Sequence, residues 1–174
     1  HLWLIDASSG ERTLATPGGG AEKVAYLESG RFTPDGKGLY VATDRECEFL
    51  RLAHLDPATG RHTPLTRDVP WDVLEFDLSP DGKTIAFATN EDGLGVLRLL
   101  DVATGAERPV PGIPSGVLSG LQWHRSGRDL GFNVQSARSP SDVYSLDVET
   151  GRVDRWTYSE TGGMNAECLA EPEL

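Results

Sequence analysis

An all-β chain of repeated hairpins, organised as a partial β-propeller, is the fold class that three observations predict. First, a turn of the form Asp-x-x-Ser/Thr-Gly begins at Asp6, Asp56, Asp101 and Asp147, at intervals of 50, 45 and 46 residues. Second, a Pro-Asp-Gly turn begins at Pro34 and again at Pro80, 46 residues later, and Arg125-Ser126-Gly127 stands in its place 45 further on. Third, short apolar strands flank every one of these turns, and almost nothing between them reads as helix. Proline presets φ for the first turn position, aspartate accepts a turn N–H, and glycine supplies the positive φ that closes a hairpin. A period in the mid-forties carrying four short strands is the signature of a propeller blade.

Taken in order, His1 to Thr16 is a single hairpin that matches the second half of the repeat, so the chain starts halfway through a blade. Thr16-Pro17-Gly18-Gly19-Gly20 is a loop by composition. Complete blades are predicted over about 24–66, 73–111 and 117–157, and with the half blade they give fourteen strands. The propeller is thus assigned to 1–158 and a tail to 159–174. The second strands, such as Leu39-Tyr40-Val41-Ala42 and Ile85-Ala86-Phe87-Ala88, are apolar on both faces, as a sheet sandwiched between neighbouring sheets requires. Aligned copies give three sets of core positions: Ile5, Leu55, Leu100 and Leu146; Leu2, Leu52, Leu97 and Val143; and Phe32, Leu78 and Trp123. Pro64 and Pro109 fall in fourth strands. Proline cannot donate a ladder bond, so the fourth strand is expected at the outer edge of each blade and the first strand innermost, around a central channel.

Composition narrows the function classes. The chain has 174 residues, 38% of them hydrophobic, enough for a core. Its 16 basic and 27 acidic residues leave a net charge of −11, which repels phosphate backbones and argues against nucleic acid as a partner. Two cysteines, Cys47 and Cys168, are too few for a disulfide framework and are read as free thiols. No apolar run reaches the roughly 18 residues of a spanning helix, so no membrane partner is expected, and without a secretory pattern the expectation favours cytoplasm over periplasm. Three and a half blades form an arc, whereas closed propellers usually have about four to eight, so the chain is expected to associate with itself or another segment through exposed blade faces.

Catalytic machinery is not visible. Gly112-Ile113-Pro114-Ser115-Gly116 places its serine one position too late for a nucleophile elbow. The four histidines, His1, His54, His62 and His124, lack metal-ligand spacing, and no cofactor is implied. Asp35 and Asp81 sit inside hairpin turns and are read as structural, and Asn90-Glu91-Asp92-Gly93 reads as a plain turn. Asp72, Glu75 and Asp77 differ, because they fall on a predicted innermost strand where Val73, Glu75 and Asp77 alternate with Leu74, Phe76 and Leu78, which points the acids away from the apolar face. Asp72 and Glu75 either line a functional channel or form a solvated rim. The loop carrying Arg45 and Glu46 follows a second strand and has the same two readings. Catalytic and metal residues are assigned to none.

Several runs carry a family resemblance: Phe32-Thr33-Pro34-Asp35-Gly36-Lys37-Gly38-Leu39-Tyr40-Val41-Ala42-Thr43-Asp44-Arg45; Trp71-Asp72-Val73; Leu78 to Lys83; Thr89 to Gly93; and Ser136-Ala137-Arg138-Ser139-Pro140-Ser141-Asp142-Val143-Tyr144. These resemble the propeller of prolyl oligopeptidase family (S9) serine peptidases, nearest their bacterial acylaminoacyl or dipeptidyl peptidase branch. The tail from Ser159-Glu160-Thr161-Gly162-Gly163 to Ala170-Glu171-Pro172-Glu173-Leu174 resembles the passage from a last blade into an α/β-hydrolase domain, which this chain lacks. The resemblance implies a non-catalytic segment that gates an active site and selects peptide substrates sterically. TolB-like propellers share the Pro-Asp-Gly blades, which leaves a protein-binding scaffold as the alternative. A lectin propeller would need recurring aromatic or ligand motifs that are missing.

Overall fold

The computed structural model describes residues 2–16 and 30–170. The glycine loop after Thr16, the start of the first complete blade at about Val24, and the Glu171–Leu174 end of the tail lie outside the described residues. The chain divides into two compact units, His1–Asp72 and Val73–Leu174.

The first unit holds a two-stranded sheet of β1 (Trp3–Ile5) and β2 (Arg12–Leu14), and a four-stranded meander of β3 (Arg31–Phe32), β4 (Leu39–Thr43), β5 (Arg51–Asp56) and β6 (Arg61–Pro64). The second holds two further meanders: β7 (Val73–Leu78), β8 (Thr84–Glu91), β9 (Leu94–Asp101) and β10 (Glu107–Pro109), then β11 (Val117–Trp123), β12 (Asp129–Ser136), β13 (Ser139–Asp147) and β14 (Val153–Arg155). All pairings are antiparallel, and each fourth strand, including those with Pro64 and Pro109, pairs on one side only. The only helical turn among the described residues is the 3₁₀ segment Ala166–Cys168.

The recurring turns are built alike. In each outer hairpin the glycine N–H donates to the aspartate carbonyl four residues earlier at 2.8 Å, with φ of 74°, 71°, 71° and 75° at Gly10, Gly60, Gly105 and Gly151. The aspartate side chain accepts the N–H groups within the turn, from Ser8 and Ser9 at Asp6, Ala58 at Asp56, Thr104 at Asp101, and Glu149 and Thr150 at Asp147. Side-chain donors, Ser8 Oγ at Asp6, Thr59 Oγ1 at Asp56 and the Arg128 guanidinium at Asp147, act most strongly, and with these backbone bonds, which lead at Asp101, they favour the charged carboxylate and hold all four below the ordinary carboxyl range. The third blade, which lacks Pro-Asp, closes its inner hairpin differently. Ser126 Oγ lies 2.8 Å from His124 Nδ1 and accepts the Arg128 N–H, and Gly127 adopts φ 73°.

The apolar pattern resolves into faces. In the second unit Ala86, Ala88, Leu97 and Leu99 of one blade bury against Leu118, Leu121, Trp123, Leu130, Phe132, Val134, Tyr144 and Leu146 of the next. Phe132 and Tyr144 stack with centroids 5.9 Å apart. Gly95 and Gly116 permit the closest approach: the Gly95 N–H donates to Gly116 O at 2.7 Å, and a Cβ on Gly95 would lie 2.6 Å from Leu118 Cγ.

Three of the expected core positions are instead exposed: Ile5 by 61%, Phe32 by 57% and Val143 by 41%. Leu55, Leu100 and Leu146 are buried beside a second strand, whereas among the described residues β1, which carries Ile5, pairs only with β2. Trp123 is covered by the preceding blade and Leu97 by the following one; Val143 stands on the face of the third blade opposite that cluster. The expected alternation along β7 also differs, because a bulge between Val73 and Glu75 turns Leu74 outward and buries Val73 with Phe76.

Candidate functional site

The four candidate residues fall in both units. In the first unit a turn closed by the Cys47 N–H donating to Asp44 O at 3.1 Å, with Glu46 at φ 61°, presents Arg45 and Glu46 side by side. Their charges lie 3.9 Å apart. Both line a cleft of about 340 Å³ with Thr43, Arg51, His62 and Arg67. Thr43 and Arg51 face each other across the β4–β5 ladder. Asp72 does not line this cleft; its Oδ1 accepts the N–H of Leu50 at 2.7 Å and so anchors the chain immediately before Arg51.

The cleft is cationic in an acidic chain. Three arginines face one glutamate, and His62 adds no charge near neutrality: burial pushes its imidazole below the ordinary value, the Arg45 guanidinium acts in the same direction, and a hydrogen-bond contact of Nδ1 with Gly60 O, together with Glu46, opposes both. The Arg51 Nε is buried and has no hydrogen-bond acceptor among the described residues. An unmet buried donor costs about 1–3 kcal/mol. Cys47 donates its thiol to Phe49 O at 2.9 Å, and both cysteines are free.

Glu75 lies in the second unit. Its Oε1 accepts the N–H of Leu121 at 3.0 Å, and two residues on, Asp77 Oδ2 accepts the N–H of Trp123 at 2.9 Å, both across 46 residues of sequence. The strand β11 is a sheet edge whose inward N–H groups have no ladder partner, and the two acids of β7 satisfy them. The alternation Glu75, Asp77 that marked this strand in the sequence is therefore matched to the spacing of alternate N–H groups on an edge strand. The second carboxylate oxygen of Glu75 takes no hydrogen bond from a described residue.

One further acid, part of the run Ser136 to Tyr144 that carries the resemblance, is not among the four candidate residues. Asp142, fully buried in β13, accepts hydrogen bonds from Ser139 Oγ, from Arg155 at 2.6 Å, from Thr157 Oγ1 at 2.9 Å and from the Ser159 N–H at 2.8 Å. Burial alone would raise its pKa, but these four bonds outweigh it and hold the carboxyl below the ordinary range. The Arg155 guanidinium also lies over the Tyr158 ring, 4.3 Å from its centroid. The chain leaving the third blade is thereby clamped to it. The other face of that blade forms an open groove lined by Gln122, Asn133, Val143, Ser145 and Trp156, whose indole N–H donates to Ser145 Oγ at 2.8 Å.

No protein-family model and no curated protein sequence matches the chain. Solved structures do. A puromycin hydrolase structure superposes with TM-score 0.75 at 25% identity, over 95% of this chain and 25% of the other. A structure from a study of two prolyl endopeptidases gives 0.73 at 19%, over 95% and 24%. The chain is a segment of β-propeller. TolB from Acinetobacter baumannii matches as well, with TM-score 0.71 at 22% identity over 88% of this chain and 36% of that one. The resemblance to the propellers of prolyl oligopeptidase family peptidases, read from the sequence, thus holds for the fold, shared with TolB. The segment spans about a quarter of the length of the two hydrolytic enzymes.

Proposed function

We propose that this segment is the non-catalytic propeller part of a serine peptidase, where it gates the active site and selects peptide substrates. The observation that carries the reading is the likeness to puromycin hydrolase, at 25% identity along 95% of the segment. In the family it resembles, the propeller caps a hydrolase domain bearing the Ser, Asp and His residues, and entry is restricted by size. In this reading Arg45 and Glu46 on their turn, with Asp72 and Glu75, face the path of the peptide, and 159–174 lead toward the hydrolase. Asp72 and Glu75 each commit one oxygen to a backbone N–H and keep a second for a substrate amine.

The test uses the whole natural polypeptide that contains this segment. Hydrolysis of short acidic, neutral and basic peptides is compared with cleavage of the same sequence inside a folded protein, for the parent and for Glu75→Gln and Arg45→Gln. The reading expects only the short peptides to be cut and the two variants to change KM with peptide charge. Equal cleavage of the folded protein, or kinetics blind to peptide charge, would oppose it. The alternative, a protein-binding scaffold, draws on the TolB likeness and expects no hydrolysis at all.

A further inference from the structure

We infer that the cleft between Arg45, Arg51 and Arg67 in the first unit binds a small oxyanion, a carboxylate or a phosphate group. This holds whether or not the chain belongs to a peptidase. Three observations meet there. The first is charge: in a chain of net charge −11 this cleft gathers three guanidinium groups and one carboxylate. Clustering like charges is unfavourable unless something of opposite sign relieves it.

The second is the state of Arg51. Among the described residues its guanidinium makes no ion pair, and its buried Nε has no acceptor. Buried polar groups in proteins are almost always satisfied, and an exception calls for an explanation, a bound ion or water among them. Arg51 opens β5 directly opposite Thr43, and Asp72 fixes the preceding Leu50, so the base of the guanidinium is held by the sheet. The two terminal nitrogens of a guanidinium match two oxygens of a carboxylate or phosphate.

The third is the wall around it. The cleft of about 340 Å³ has room for a small anion, Ala53 and Pro64 line it with apolar surface, and Thr43 is at its edge. Glu46 is the one opposing charge; its side chain is 82% exposed, 3.9 Å from Arg45, and can swing aside for an anion.

The experiment is calorimetric titration of the 174-residue chain with sodium succinate and, separately, with inorganic phosphate, at constant ionic strength made up with chloride. Saturable binding of at least one is expected, and the tighter of the two identifies the source of the oxyanion. Arg51→Gln is expected to weaken binding at least tenfold, Glu46→Gln to tighten it severalfold, and Arg12→Gln, an exposed charge on β2, to leave it unchanged. Absence of saturation with both anions, or affinity equal in Arg51→Gln and the parent, overturns the inference. Should Arg51→Gln fail to fold by circular dichroism, Glu46→Gln decides: tighter binding supports the site and unchanged binding overturns it.

Discussion

The two faces of the third blade are made by alternate residues of the same strands, yet they are built for different surroundings. One face carries Leu130, Phe132, Val134, Tyr144 and Leu146 and is buried against the second blade. The other carries Gly131, Asn133, Val143 and Ser145 beside the exposed Trp156. The second blade, by contrast, presents Ala86, Ala88, Leu97 and Leu99 to its neighbour, so it is apolar where the third is small and polar. A blade's repeat motif thus fixes its turns and strands, while its face composition records what lies next to it.

Truncation should separate the faces most sharply. Phe132→Ala, on the buried face, is expected to cost about 3–5 kcal/mol in urea denaturation, whereas Val143→Ala, on the exposed one, should stay within about 0.5–1 kcal/mol. Equal costs would erase the distinction. Asp142→Ala removes the acceptor that ties Arg155, Thr157 and Ser159 to β13, and leaves a cation without its partner; a loss of about 3 kcal/mol is expected. Limited proteolysis should then cut near Ser159 much faster than in the parent.

Smaller effects test the edges. Glu75→Ala leaves the Leu121 N–H unsatisfied at the buried interface and should cost about 1–3 kcal/mol, while Glu75→Gln, which keeps a carbonyl acceptor, should cost less. The turn aspartates add a pH dependence. Because Asp56, Asp81 and Asp101 are held below their ordinary value of 3.8, the folded chain binds fewer protons than the unfolded one as pH falls through that value. The stability they contribute is complete above about pH 5 and drains away as pH falls below 4 toward their folded values. Thermal midpoints measured from pH 7 to pH 2.5 should show the decline, and Asp101→Asn should lessen it. Finally, the exposed faces are expected to make the chain associate in light scattering, with Val143→Lys shifting it toward monomer; a monodisperse monomer in the parent would mean that the polar face is a sufficient cap.

Much of this was legible in the sequence, and the reason is local physics. Asp-x-x-Ser/Thr-Gly and Pro-Asp-Gly turns are closed by bonds within five residues, so Asp101 and Gly105 announce their structure without help from the rest of the chain. Pro64 and Pro109 declare an edge because of a donor they lack. What escaped depends on neighbours. Ile5, Phe32 and Val143 match buried residues in the repeat and yet are exposed, because burial depends on what packs against a face, which the repeat motif itself does not encode. Glu75 and Asp77 stood out as acids on an inner strand, but their partners, Leu121 and Trp123, lie a full repeat away. Arg51 and Arg67 follow no motif. Only the turn of the sheet brings them beside Arg45, and the signal available beforehand was four arginines, Arg45, Arg51, Arg61 and Arg67, within a short stretch of an acidic chain.

The most direct measurement is labelling of the natural polypeptide containing this segment with a fluorophosphonate probe, followed by intact and peptide mass analysis under denaturing conditions. A segment that gates a serine peptidase predicts a polypeptide several times longer than 174 residues, labelled on a serine outside them. A polypeptide of about this length, or one that takes no label while a control hydrolase does, would contradict that role.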